Sequence, residues 1–157
     1  MGKNASEYKK FQIKTLALSD LFSSMEGRRP RIIVGAFSKK SGTDVSKIAH
    51  ILSDMGFDVD ISPLITSVER FAMNALENDV DALLMLTESN DIKAKMLGLE
   101  TFLAQQKAEI LLSQISNSES QSVLQDEMFK NWIVLNAETK QSELGFIILN
   151  QLLDRTN

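Results

Sequence analysis

From Arg31 onward, short apolar runs alternate with amphipathic stretches, the order expected when parallel strands are joined by crossover helices. Arg31 to Phe37 (RIIVGAF) is a continuous run with β-branched residues and predicts a central strand covered on both faces. Thr43 and Asp44 can cap a helix in which Val45, Ile48, Ala49, Leu52 and Met55 recur at helical spacing, and Gly56 closes it. Phe57 to Ile61 alternates apolar and acidic residues before Pro63, as a strand at or near a sheet edge does. Thr66 and Glu69 form a capping-box pair ahead of the stripe Val68, Phe71, Ala72, Ala75 and Leu76. Ala82 to Leu86 would suit strand or helix by composition, and its place in the alternation makes it the third strand.

Ile92, Met96, Leu99 and Leu103 then mark a helix, and Ile110 to Ile115 a fourth strand. A polar loop over Ser116 to Gln121 leads to a short helix with Val123, Leu124 and Met128, and Trp132 to Leu135 is the fifth strand. A closing helix runs from Thr139 with Leu144, Ile147, Ile148 and Leu152, fraying over Asp154 to Asn157. This repetition predicts an α/β fold, a doubly wound five-stranded parallel sheet. Ahead of it, Tyr8, Phe11, Leu18, Phe22 and Met25 lie on one face of a helix within residues 5 to 26, either docked on its own domain or offered to a partner. Gly27, Arg28, Arg29 and Pro30 mark a boundary, giving a helical extension at 1–28 and a domain at 29–157.

Composition narrows the function. The 157 residues are 43% hydrophobic and 24% charged, ordinary for a globular chain with one sizeable core. No Cys is present, so disulfides, thiolate nucleophiles and Cys-built zinc sites are excluded, and a single His leaves little for metal chemistry. A net charge of −4 and a pI near 5.1 give no broad positive field for nucleic acid. No run of 18 apolar residues exists, so no membrane span is expected. The polar stretch from Met1 to Lys10, with Glu7, Asp20 and Glu26 and no Arg in the first 27 residues, points to the cytoplasm rather than to secretion or a mitochondrial address.

In such a sheet, ligands sit beyond the carboxyl ends of the strands, so the loops at 37–44, 62–66, 87–91, 115–120 and 136–141 carry the candidate chemistry. The first, Phe37-Ser38-Lys39-Lys40-Ser41-Gly42-Thr43-Asp44, has hydroxyls, two cations and a Gly, and reads as a solvated connection or a site for a phosphorylated metabolite. Its lysines precede Gly42, against the order of a Walker loop, and Gly35 and Gly42 stand too far apart for a dinucleotide fingerprint. A phosphorylatable receiver would need acids where Ser38 to Ser41 and Thr87 to Glu88 stand. Glu88 and Asp91 read as complements to a helix dipole, and His50, mid-helix beside the apolar face, as structural.

The segment RPRIIVGAFSKKSGTDVSKIAHILSDMGFDVDISPLI, Arg29 to Ile65, resembles the start of the cobalamin-binding domain of methylmalonyl-CoA mutase and related acyl-CoA mutases. RPRI before the first strand and GFDVD-x-x-PL across the second carry the likeness, and ENDVDALLML at Glu77 to Leu86 extends it. The resemblance implies a flavodoxin-like (Rossmann-like) sheet of order 2-1-3-4-5, with the corrin across the strand ends and its nucleotide tail threaded into the domain. The family holds cobalt with a His from an Asp-x-His-x-x-Gly motif, and here the matching stretch is Lys39, Lys40, Ser41, Gly42, Thr43 and Asp44, with Ser41 at the ligand position.

The family's Ser-x-Leu falls at or near Leu86, Thr87 and Glu88, its Gly pair near Ile115 and Ser116, and its Gly-rich turn at Asn136, Ala137, Glu138 and Thr139. Each exchange adds bulk where a buried nucleotide needs room. The resemblance then implies a degenerate crevice of Ser38, Lys39, Lys40, Ser41, Gly42, Thr43, Thr87, Glu88, Ser116, Asn136 and Thr139, with no cofactor and no metal. The expectation is a non-catalytic protein like the small subunit of heterodimeric mutases, associating with a catalytic mutase chain or with itself. The (β/α)₈ barrel of that family takes about 250 residues, so mutase chemistry would need another chain. A carrier of base-on cobalamin is the alternative expectation.

Overall fold

A computed structural model describes residues 2–87, 92–116, 127–136 and 141–156, the side chains of 2–5, 39–44, 116, 136 and 156 excepted. Five strands, β1 (Arg31–Ala36), β2 (Asp58–Ile61), β3 (Ala82–Thr87), β4 (Leu111–Ser116) and β5 (Ile133–Asn136), form one sheet of order β2-β1-β3-β4-β5. All four pairings are parallel. Helices α1 (Gly2–Glu26), α2 (Lys39–Asp54), α3 (Val68–Glu77), α4 (Ile92–Gln105) and α5 (Leu144–Thr156) flank it. The architecture is the expected flavodoxin-like α/β fold, with a helix ahead of it.

Each face of the sheet carries its own core, as the period of two requires. Ile32, Val34, Leu84, Leu86 and Ile115 point to the layer of α1, α2 and α5, where Ile48, Leu52, Leu144 and Ile148 meet them. Ile33, Leu83 and Met85 point to the opposite layer, packed by Phe71, Ala72 and Ala75 of α3 and Met96 and Leu99 of α4. The strand β3 is buried along its whole length, which explains why ALLML shows no alternation.

The boundaries depart from the sequence reading in instructive places. Helix α2 starts at Lys39, not after Thr43, so that only Phe37 and Ser38 separate it from β1. The polar first turn has no apolar periodicity, and the pattern becomes visible only at Val45. At α3 the cap is Ser67 rather than Thr66: its backbone is extended and its hydroxyl accepts from the Arg70 N–H at 3.1 Å. Strands β4 and β5 each begin and end one residue later than expected, and Trp132 precedes β5, donating its indole N–H to Glu100 at 3.3 Å. Helix α5 does not fray at Asp154 but continues to Thr156, with Leu152 and Leu153 buried in its last turns. The short helix expected around Val123 and Leu124 lies outside the described residues, and Met128 belongs to a 3₁₀ turn, Glu127–Phe129.

Helix α1 packs on α5 and on the end of α2. Tyr8, Phe11, Leu18 and Phe22 face the molecule as expected, whereas Met25 is exposed and buried Thr15 and Ser19 complete the contact. Tyr8 donates to the Asp54 carboxylate at 3.0 Å, Gln12 to the Asp54 carbonyl at 3.3 Å and Ser19 to the Gly56 carbonyl at 2.7 Å. After Gly27, Arg28 forks onto both carboxylate oxygens of Asp81 at 2.7 and 2.8 Å, and Asp81 also accepts the Arg31 N–H.

Candidate functional site

The parallel register lines up the carboxyl ends of the strands, so Ala36 sits beside Leu86, and Thr87, Ser116 and Asn136 stand in a row across β3, β4 and β5. Three of the residues expected at the crevice are therefore neighbours in the backbone. Ser38 is half-buried in the link between β1 and α2, while Lys39, Lys40, Ser41, Gly42 and Thr43 form the first turns of α2 instead of an open loop. Their side chains, with those of Ser116 and Asn136, lie outside the described set, as do residues Glu88 and Thr139.

Among the expected site residues whose side chains are described, Thr87 has an unusual environment. It is buried at the end of β3, and its hydroxyl has no hydrogen-bond partner among the described residues. On the adjacent strand Gln114 is fully buried on the same face, and neither its amide oxygen nor its amide nitrogen has a hydrogen-bond partner among the described residues. Buried polar groups are nearly always satisfied, so two unpaired neighbours mark a local deficit. Sequence reasoning passed over Gln114, although a Gln inside the run ILLSQI was the available signal. Nearby Ser113 faces the other layer and spends its hydroxyl on the Leu83 carbonyl at 2.7 Å.

Phe37, also passed over as a site residue, lies under a cation: the Lys95 ammonium is 4.2 Å from its ring centroid. Beyond β2, residues Ser62 to Ser67 with Arg70, Phe71 and Asn74 enclose a cleft of about 420 Å³. Among the described residues no group of three His, Cys, Asp or Glu side chains is placed to hold a metal ion.

Cobalamin, the group implied by the resemblance, is poorly matched by the residues here. A cobalt-ligating imidazole would have to rise from the link after β1, but the only His, His50, lies eleven residues into α2, about 16 Å along the helix. Its side chain is 79% exposed and stands 3.5 Å from Asp54, beside the apolar face as expected. Both layers below the strand ends are occupied, by Val45, Leu86, Ile115 and Leu144 on one side and by Ile65, Phe71, Met85 and Ile92 on the other. Even a methyl group at Gly35 would lie 2.8 Å from the Phe71 ring and 2.9 Å from Ile65. These residues do not fit a His-ligated corrin.

The fold and the strand-end crevice define an α/β module of the flavodoxin-like class. No family model matches the chain. It is similar to methylmalonyl-CoA mutase of Escherichia coli K12, 39% identical over 79 residues, which are 50% of this chain and 10% of that protein. Methylmalonyl-CoA mutase large subunits of Streptomyces virginiae (43% over 68 residues) and Propionibacterium freudenreichii subsp. shermanii (41% over 64 residues) each match 43% and 40% of this chain and 9% of their own length. The chain thus spans about one tenth of the curated relatives it matches. The likeness to these mutases extends over 40–50% of this chain.

Proposed function

We propose that this chain is a cobalamin-binding-like domain without catalytic activity of its own, serving as a partner subunit of an acyl-CoA mutase chain. The observation that carries the reading is the link after β1. There the stretch aligned with the cobalt-ligand motif forms the start of α2, with Ser41 in place of the imidazole. The packed layers on either side of Gly35 support it. Core positions that make the sheet are kept, and positions that would grip the cofactor are changed, as in a scaffold retained for its surfaces.

The test mixes the full chain with hydroxocobalamin or adenosylcobalamin, followed by gel filtration and a visible spectrum. No colour should travel with the protein. The chain should instead coelute with the large subunit of a mutase from the same cell, and failure to do so would refute the subunit role.

A second reading is favoured by Thr87 and Gln114, whose unpaired buried groups leave hydrogen-bonding capacity at the strand ends. In it the chain carries corrinoid with the cofactor's own base on cobalt, so that the absent His does not matter. Retained colour with an unchanged base-on spectrum, lost in Gln114→Met, would establish it over the first.

A further inference from the structure

Three side chains from two helices converge at the end of α2 farthest from the strand-end crevice. His50 and Asp54 stand four residues apart on one face of α2, with the imidazole Nε2 3.5 Å from Asp54 Oδ2. From α1, the Tyr8 hydroxyl donates to the same oxygen at 3.0 Å, and Gln12 donates to the Asp54 carbonyl. The imidazole is exposed and the carboxylate partly so, which leaves both open to an arriving ion.

The spacing has a chemical meaning. At 3.5 Å the imidazole and the carboxylate are farther apart than the roughly 2.7–3.2 Å of an N–H···O hydrogen bond. Two ligands bound to zinc at about 2.0–2.1 Å, at the tetrahedral angle, stand about 3.4 Å apart. A nitrogen and an oxygen donor, in a chain without thiols, suit zinc and its borderline neighbours. Helix α2 ends at Asp54 with no basic residue in its last turn, so a cation held there also meets the negative end of the helix dipole. Lys47, exposed one turn before His50, opposes the ion and keeps the site weak.

We propose that His50 and Asp54 bind a divalent transition metal ion of the zinc class, with water completing its shell and Tyr8 positioning the carboxylate. Ligating carboxylates are themselves held by hydrogen bonds, and Tyr8, raised above its ordinary pKa by burial and by Asp54, keeps the proton it donates. Because Tyr8 belongs to α1, the ion ties the end of α2 to the docking of α1. The site stands whether or not the mutase reading holds.

The test is isothermal titration of zinc chloride into the full chain, free of any polyhistidine tag, paired with NMR of the single imidazole. Wild type should show a saturable site with a dissociation constant of about 10–300 μM, and the carbon-bound protons of the imidazole should shift along the same curve. His50→Gln should abolish this binding with the circular dichroism spectrum unchanged, and Asp54→Asn should weaken it at least about tenfold. Tyr8→Phe should need about tenfold more zinc to reach the same final imidazole shift, as loss of a positioning group rather than of a ligand requires. No saturable binding up to about 1 mM zinc, binding unaltered by His50→Gln, or wild-type affinity in Asp54→Asn would each overturn the proposal. Wild-type affinity in Tyr8→Phe would overturn the positioning role.

Discussion

The hydroxyl of Ser19 on α1 donates to the carbonyl of Gly56 at 2.7 Å, and a Cβ added to Gly56 would lie 2.6 Å from both the Cβ and the Oγ of Ser19. Gly56 also has φ of +99°, a region that side chains rarely tolerate. The turn that ends α2 is thus shaped to admit α1. Gly56→Ala should cost about 2–3 kcal/mol from strain and the blocked approach. Ser19→Ala, which leaves only the carbonyl unpaired, should cost about 1 kcal/mol. Urea unfolding midpoints separate the two, and equal effects would argue against steric exclusion at Gly56.

The link after α1 is fixed by charge. Asp81 receives both arms of the Arg28 guanidinium and the N–H of Arg31, and the hydrogen bond from Arg28, opposed by burial, holds the guanidinium above its ordinary pKa. Removing Asp81 strands three donors, and removing Arg28 strands two acceptor contacts that water can reach. Asp81→Ala is expected to lower the unfolding free energy by about 2–3 kcal/mol and Arg28→Ala by about 1–2 kcal/mol. Chemical denaturation of both and of the double variant checks this. The double should fall short of the sum, because the two residues share one interaction.

The fold could be read from the chain because apolar spacing reports burial directly. The runs at Arg31 and Trp132 announced strands, that at Ala82 took its identity from its place in the alternation, and the stripe from Val45 to Met55 announced α2. Contacts made by polar residues leave no such trace. Thr15 and Ser19 break the expected apolar face of α1, yet are buried against its neighbours, and the six polar residues opening α2 looked like a loop. The candidate crevice was legible as positions on the topology, since strand ends follow from strand order. The Gln114 and Thr87 pair required three dimensions: adjacency across β3 and β4 is a matter of register, which separates them by 27 positions along the chain.

That pair predicts an unusual gain. Unpaired buried amides lose their water without replacement, so exchanging Gln114 for an apolar side chain of similar length removes the deficit. Gln114→Met is expected to raise the unfolding free energy by about 1 kcal/mol, and Thr87→Val by a smaller amount. Differential scanning calorimetry of ligand-free protein should show both variants melting higher than wild type. A loss instead would mean that an ordered water or bound molecule already satisfies these groups.

Tyr8 offers a titratable report on the docking of α1. Burial, reinforced by the hydrogen bond to the Asp54 carboxylate and that charge, raises its pKa above the ordinary 10.0. Because the folded state holds the proton more tightly than the unfolded state, the associated stability is intact below the ordinary tyrosine pKa. It is lost as pH rises through the raised value. As this is the only Tyr in the chain, its phenolate absorbance can be followed alone, and it should appear later in folded protein than in urea-unfolded protein. Tyr8→Phe should be less stable by about 1 kcal/mol at neutral pH, and should lose stability less steeply than wild type above pH 10.0. Coincident phenolate curves for folded and unfolded protein would show that α1 does not hold Tyr8 against Asp54 in solution.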